Sequence, residues 1–305
     1  MIKISYIKSD DRRHNIERSL ALIKTEITKG LKEAKRVVIK PNCSRLNSAL
    51  AVTHTDTLDA VLNFITPFVK HQIIVAEGTL NNDTLETMKS YGYLKLQSRY
   101  DFAIVDLNQD DKETIELLDA DGRPAQFHIA KTLLDSDYII SVSPPKTDNI
   151  FVFSGAIKNA TIGSLVKPTD LFSGLSASKL GKMFSLPQNF ALPINIPSPF
   201  WHKNIETLYN KLNIGLAVID GFESMQGNGP HHGDSVASHF AVAGTNPVAA
   251  DGVACNCLDI NMSDIGYLSL LPLDKDNVFI VGDDWIKNII TIKKPSNFEN
   301  IRHKN

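Results

Sequence analysis

The sequence predicts an α/β protein with a mixed, largely parallel sheet and flanking helices. Short apolar runs, typical of buried strands, alternate along the chain with segments whose apolar residues recur at helical spacing. Two further runs flank Asp121-Gly122, a pair that favours a tight turn and so an antiparallel hairpin. The 305 residues are 43% hydrophobic, so the chain can bury a large core in one large or two modest domains.

The first predicted part, 1–160, is an N-terminal α/β unit. Its buried strands are predicted at 37–40, 73–77, 102–105 and 138–142. An apolar helical face at 58–65 ends before Pro67, and a second helix is predicted at 84–91. The hairpin, 114–118 with 125–129, is expected to form an antiparallel flap on this unit.

The second part, 161–202, differs in composition from its neighbours. From about Gly163 to Ser198 the chain is rich in Ser, Pro, Gly and Lys and shows no sustained period. Such composition is typical of a long irregular insertion, either a lid or a surface that faces a partner. Its scattered aromatic residues would mark a contact surface if exposed and a lid if buried over a cleft.

The third part, 203–305, returns to the α/β pattern and is expected to complete the same or an adjoining sheet. Strands are predicted at 214–220, 240–244 and 278–282, and a helical face at 205–212. Asn246 and Pro247 have the residue types that open a helix as N-cap and first helical position.

Composition excludes several classes of protein. The 32 basic residues nearly balance the 34 acidic ones, so we expect neither nucleic acid nor a membrane as partner. The apolar stretch at 1–7 is too short for a signal peptide or a spanning helix, so a cytoplasmic location is expected. Three cysteines without a Cys-x-x-Cys motif argue against an iron–sulfur cluster. A protein partner or a homo-oligomer is left open.

Several predicted strands end in a polar residue followed by Pro or Gly. These ends are Lys40-Pro41-Asn42, Glu77-Gly78, Ser143 to Lys146, and Asp220-Gly221. Ligands of open α/β sheets bind at the carboxyl ends of the strands, so these groups are expected to meet in one cleft. A glycine-rich loop with two histidines, 227–233, follows the last of these strands.

The residue types in these segments suit a small anionic ligand. Lys40, Lys146 and Lys158 can clamp a carboxylate or phosphate, and the alternative is that they are exposed surface lysines. Glu77 and Asp220 can act as general base or metal ligand, and the alternative is that they accept backbone N–H bonds in turns.

The histidines offer proton transfer or metal binding. His231 and His232 are adjacent, so in an extended loop only one of them would face a given cleft. A divalent metal held by Asp220, Glu223 and His202 is a further hypothesis, although the sequence has no His-Glu-x-x-His helix. Ordinary surface or hydrogen-bonded histidines are the alternative.

The ordered motifs of this chain resemble those of the domain of unknown function 362 family over nearly the whole length. They are Val38-Ile39-Lys40-Pro41-Asn42, the segment 53–61, Ala76-Glu77-Gly78, Gly155-Ala156-Ile157-Lys158-Asn159, Gly227-Asn228-Gly229-Pro230 and the segment 244–251. The resemblance implies a fold and candidate positions but no reaction. Many members append ferredoxin-like cysteine clusters, which this chain lacks, and often have histidine where Asp148 stands here.

The leading hypothesis is an enzyme with a small anion in the cleft. Lys40, Lys158, Asp220, His231 and His232 are the candidate catalytic residues. The candidate ligand-binding residues are Asn42, Thr53, His54, Glu77, Lys146, Asn159, Gly227, Asn228, Gly229 and Asp251. The alternatives are a non-catalytic accessory protein that docks a partner through 163–198, and a redox partner without its own cluster. The cofactor is left unknown.

Overall fold

The computed structural model describes residues 1–43, 45–46, 48–79, 83–167 and 199–304. The strands within them are β1 (Ile2–Lys8), β2 (Val37–Pro41), β3 (Ile73–Glu77), β4 (Phe102–Asp106), β5 (Lys112–Leu118), β6 (Pro124–Ala130), β7 (Tyr138–Ser143), β8 (Lys146–Asp148), β9 (Val152–Ser154), β10 (Ile214–Gln226), β11 (Asp234–Gly244) and β12 (Val278–Gly282). The α-helices within them are α1 (Arg12–Leu22), α2 (Lys24–Glu33), α3 (Thr55–Ile65), α4 (Thr84–Ser90), α5 (Lys131–Leu134), α6 (Ala156–Thr161), α7 (Phe200–Tyr209), α8 (Pro247–Cys257), α9 (Gly266–Leu270) and α10 (Phe298–Ile301).

The main sheet is mixed and largely parallel, as the sequence predicts. Its strand order is β12-β1-β11-β10-β7-β2-β3-β4, and β8 extends it by pairing with both β10 and β9. The run β10-β7-β2-β3-β4 is parallel throughout, whereas β11 is antiparallel to both of its neighbours. Strands from both ends of the chain therefore lie side by side in one sheet.

Helices cover both faces of the sheet, and strands β2, β3, β4, β7, β10 and β11 divide their side chains between two cores. In β2, Val37 and Ile39 pack in one core, whereas Val38 packs in the other. The first core contains apolar residues of α1, α2 and α3, and the second those of α6, α7 and α8. Successive side chains of a strand point to opposite faces, which explains why these buried strands are apolar throughout.

The predicted hairpin is present as a separate two-stranded sheet, β5 with β6. It is fixed to α7 by the side-chain amide of Asn204, which accepts from the Leu118 amide at 2.8 Å and donates to the Leu118 carbonyl at 2.7 Å. Phe127 packs edge-on against the buried Trp201 with ring centroids 5.8 Å apart. The hairpin thus packs on the same side of the sheet as α7.

Strand β10 is longer than predicted. Its pairing with β11 is interrupted by a bulge between Gly221 and Glu223 and then continues to Gln226 opposite Asp234. The prediction that the strand ends at Asp220 is therefore wrong. The bulge shifts the register at one point, and the residues after it pair with β11 again. Strand β1, which pairs with β11 and β12, was not predicted.

Most of the predicted insertion, 168–198, lies outside the described residues. Just before it, Leu165 forms an antiparallel bridge with Ile129 of the hairpin. The segment just after it enters α7 at Phe200. Within the parts of the chain given above, no helix combines the length and apolar content needed to cross a bilayer.

Candidate functional site

A cavity of about 310 Å³ lies beyond the carboxyl ends of β2 and β3, beside β8 and α6. Its polar and charged lining consists of Lys40, Asn42, Arg45, Glu77, Lys146, Asn149, Ser154, Lys158, Asn159, Asn228, His231 and His232. Three of the predicted strand ends therefore do meet at one edge of the sheet. The volume is at the lower end of the range for small-molecule sites.

Lys40 and Glu77 form a buried ion pair between neighbouring parallel strands. The Nζ atom of Lys40 lies 2.6 Å from Oε1 of Glu77 and also donates to the Pro41 carbonyl at 3.1 Å and to Oδ1 of Asn159 at 3.3 Å. Glu77 in turn accepts from the amides of Cys43 at 2.5 Å and Gly78 at 2.8 Å. All three ammonium hydrogens thus have acceptors, so Lys40 is committed to holding β2, β3 and α6 together.

Asn159 and Thr53 support the same strand ends. The Asn159 amide donates to the Lys40 carbonyl at 2.9 Å and to the Ser141 hydroxyl at 3.0 Å. The hydroxyl of Thr53 accepts from the Asn42 amide at 2.8 Å and donates to the Val142 carbonyl at 2.7 Å. Asn159 lines the cavity, whereas Thr53 acts behind it by fixing the backbone of Asn42.

Lys158 projects from α6 toward an acidic partner. Its ammonium pairs with Oδ2 of Asp148 and lies 4.7 Å from the centroid of the Phe151 ring. The other carboxylate oxygen of Asp148 accepts from the amides of Ile150 at 2.9 Å and Phe151 at 3.1 Å. Asp148 therefore orients Lys158 at the cavity wall.

Lys146 differs from the other two lysines because its ammonium forms no ion pair with a carboxylate in the described parts of the chain. Its Nζ donates to the Ala51 carbonyl at 3.0 Å, and to the side-chain oxygen of Asn42 at 2.9 Å in the amide orientation that satisfies both Asn42 atoms. Burial, together with the charge of Lys158, lowers the pKa of Lys146 to about 7.

Arg45 is a second cation without a carboxylate partner among the described residues, and the sequence did not single it out. Its Nε is buried and has no hydrogen-bond partner there, and burial lowers the pKa of this guanidinium. The residue lies in an irregular loop, where no period or spacing marks a side chain that turns inward. Arg45 and Lys146 give the cavity positive charge that its own carboxylate does not neutralise.

The two adjacent histidines both line the cavity, so the prediction that only one would face it is wrong. The extended conformation assumed for that prediction is absent: residues 229–231 form a turn between β10 and β11, and the two rings lie 6.5 Å apart. Burial and the nearby charge of Arg45 lower the pKa of His231 to about 3, so its imidazole is neutral. Its Nδ1 is buried without a partner in the described structure.

Gly229 allows this turn to press against β8. A Cβ atom at Gly229 would lie 2.0 Å from the Thr147 carbonyl oxygen, closer than any real contact. The Gly229 carbonyl accepts from the Asn149 amide at 3.1 Å. Asn228 and Gly229 line the cavity, whereas the predicted ligand residue Gly227 supplies a positive φ of 77° at the start of the turn.

Asp220 lies away from this cavity, contrary to the expected convergence. Its carboxylate accepts from the Thr57 hydroxyl at 2.5 Å and lies 3.3 Å from Nε of Arg12. Glu223 lies 3.5 Å from the same guanidinium. His54 caps α3 by accepting from the Asp56 amide at 3.2 Å. These side chains form a separate cluster at α1, α3 and β10 because β10 continues as a strand past Asp220.

His202 does not join Asp220 and Glu223, so the predicted metal ligands do not come together. It packs edge-on against Phe151 and stacks on Tyr267, with centroids 5.3 and 6.3 Å away. Burial lowers its pKa to about 4. In the portions of the chain that the structure covers, no group of three His, Cys, Asp or Glu residues is arranged to hold a metal ion.

Asp251, another predicted ligand residue, is buried between two helices. Its oxygens accept from the amides of Ala156 at 2.7 Å and Ile157 at 3.0 Å, which ties α8 to the start of α6. Burial raises the pKa of Asp251 to about 7, although the two N–H bonds oppose that shift. The residue therefore positions the helix that carries Lys158 and does not itself line the cavity.

The α/β fold and the cavity at the strand ends are accompanied by a match to a family profile. The profile is that of a domain of unknown function, DUF362, and it covers residues 37–256, which is more than two thirds of the chain. The chain belongs to this family. A search of curated proteins found no match.

Two solved structures have a similar arrangement of elements. One is the lactate racemase apoprotein from Thermoanaerobacterium thermosaccharolyticum, with 17% identity, a TM-score of 0.45, and coverage of 80% of this chain and 54% of that one. The other is a protein from Thermotoga maritima, with 14% identity, a TM-score of 0.43, and coverage of 72% of this chain and 52% of that one. The chain thus spans about half the length of these structures.

Proposed function

We propose that this protein is an enzyme that binds a small anion, a carboxylate or a phosphate, in the cavity at the strand ends. The observation that carries the proposal is the charge balance of the lining. Two of its cations are paired, Lys40 with Glu77 and Lys158 with Asp148. Lys146 and Arg45 have no carboxylate partner among the described residues. A bound anion would supply the missing negative charge.

The geometry supports a ligand with charged oxygen atoms. Two opposite unit charges about 4 Å apart attract by about 4 kcal/mol at an effective dielectric constant of about 20. Arg45 presents a planar fork of donors, and Lys146 presents a compact charge, so the two suit different oxygens of one anion. Asn149 and Asn228 add neutral polar side chains to the lining around them.

The proposed roles differ from those expected from sequence. Lys40 holds the wall, Lys146 and Arg45 bind the anion, and Lys158 stands beside them with its charge fixed by Asp148. His231 is neutral and has a free ring nitrogen, so it suits proton transfer to or from the bound ligand. An enzyme is favoured over a simple binding protein because ionisable groups with shifted pKa values gather in this one cleft.

Isothermal titration calorimetry with inorganic phosphate, acetate and malonate tests the proposal. We expect saturable binding of at least one anion, and weaker binding by Lys146→Met. Lys203→Met is the matched control, because Lys203 is exposed and pairs with Glu206 on α7. Binding that Lys146→Met and Lys203→Met leave equally strong would refute this location, and the absence of any saturable binding would refute the anion site.

A further inference from the structure

Lys146 has the hydrogen-bond pattern of a neutral amine. Its two acceptors, the Ala51 carbonyl and the Asn42 side-chain oxygen, account for two N–H groups. An ammonium has three N–H donors, whereas an amine has two and a lone pair. The two acceptors leave one tetrahedral position of the nitrogen, which carries the third N–H in the ammonium form and the lone pair in the amine form. Lys146 lines the cavity, which brings a bound molecule next to this side chain.

The surroundings of Lys146 favour that neutral form. The side chain is buried, and the positive charge of Lys158 disfavours a second positive charge at Lys146. Asp148 and Glu77 act in the opposite direction, but each already has its own lysine partner. Lys40 adds a further positive charge. A lysine that is desolvated beside another cation is a nucleophile at neutral pH.

We propose that Lys146 forms an imine with the carbonyl carbon of a small 2-oxo acid whose carboxylate is held by Arg45, with Lys158 beside it. The inference rests on the proposed function, since the anion must first bind at Arg45 and the ammonium form of Lys146, and the amine form of Lys146 then attacks. A 2-oxo acid fits because its carboxylate adjoins the ketone, so a single small molecule can meet the cationic side chains and the amine together. The cavity of about 310 Å³ accommodates a molecule of that size.

The step balances without an oxidant or a reductant. The lone pair of Nζ forms a bond to the carbonyl carbon while the carbon–oxygen π bond breaks, and the proton released from nitrogen passes to the oxygen. The resulting carbinolamine then loses its hydroxyl group together with the remaining N–H proton as water, and the nitrogen lone pair forms the carbon–nitrogen double bond. The charges of Lys158 and Lys146 contribute to the low pKa of His231, so the three side chains are neighbours. The neutral imidazole of His231 can relay both protons between nitrogen and oxygen.

Reductive trapping tests the inference on the full chain. The protein is incubated with pyruvate or with 2-oxoglutarate, sodium borohydride is added, and the intact mass and the peptide map are measured. Trapping is expected to increase the mass by that of the 2-oxo acid less one oxygen atom, at Lys146. Isobutyrate, which has the carboxylate but no ketone, is expected to slow trapping by competition.

Two variants separate charge from nucleophilicity. Lys146→Arg keeps a cation but has no amine that can form an imine, so it is expected to retain pyruvate binding and lose trapping. Lys203→Met is expected to trap like the unchanged protein. Saturable binding of both 2-oxo acids without an adduct, or an adduct at another lysine only, overturns the imine and leaves the anion site intact. Absence of any anion binding overturns both proposals.

Discussion

The buried pair of Lys40 and Glu77 gives the sharpest test of how the cavity wall is held. In Glu77→Gln the ammonium of Lys40 stays buried with no counter-charge. The amide NH₂ of the new side chain also takes the place of a carboxylate oxygen that accepts from nitrogen donors in the unchanged protein. Removing one partner of a buried pair costs about 3–5 kcal/mol. At roughly 2 °C per kcal/mol for a chain of this size, Tm should fall by about 6–10 °C.

Circular dichroism melting and urea unfolding measure this loss. The surface pair of exposed Lys203 and partly exposed Glu206 is the control, and Glu206→Gln should change stability by less than about 1 kcal/mol. The double variant Lys40→Met/Glu77→Gln should be more stable than the sum of its single variants predicts, because it leaves no buried charge unpaired. A Tm for Glu77→Gln equal to that of Glu206→Gln would show that this pair does not hold the strand ends.

Three further outcomes follow from the same site. Arg45→Gln should weaken phosphate binding by about 1.5–3 kcal/mol, or roughly tenfold to a hundredfold, in calorimetry, whereas Arg123→Gln at an exposed hairpin position should not. Lys146 has a pKa of about 7 when folded, below its ordinary 10.5, so the unfolded chain binds more protons between these values and stability should rise with pH across that window. In urea unfolding, the free energy of unfolding of Lys146→Met should rise less steeply with pH than that of the unchanged protein. An unchanged slope would mean that the pKa of Lys146 is not lowered in the folded state. Gly229→Ala should lower stability by about 1–3 kcal/mol and weaken anion binding, because the new methyl group meets the Thr147 carbonyl; unchanged melting and binding would show that the turn is not packed against β8.

Much of the sheet can be predicted from sequence because buried strands are continuous apolar runs. Val37–Pro41 and Ile73–Glu77 show this pattern, and the carboxyl ends of parallel neighbours share an edge by geometry alone. That argument brought Lys40, Glu77 and Lys146 to one place. It failed for Asp220, since a glycine after an acidic residue resembles a strand end in sequence but is a bulge in the structure.

Arg45 shows the limit of pattern reading at the site itself. It lies in a loop with no hydrophobic period, and its orientation depends on the packing of the surrounding strand ends. The role of Asp148 was equally hidden, because its partner Lys158 is fixed only once β8 and α6 are in place. Loops that carry function are positioned by the scaffold, and their sequence alone does not state which side chains face inward.

The three lysines of the cavity differ in their hydrogen-bond and ion-pair partners, and these partners separate a structural role from ligand binding. Lys40 and Lys146 lie in strands and Lys158 lies in α6, and the residue type alone does not distinguish their roles. The structure assigns a carboxylate to Lys40 and another to Lys158, and it assigns only neutral oxygens to Lys146. The ammonium form of a lysine that is buried without a counter-charge is unfavourable in the free protein, and a ligand that supplies the charge stabilises that form on binding. The absence of a described carboxylate beside Lys146 is therefore the feature that most favours a ligand at this position.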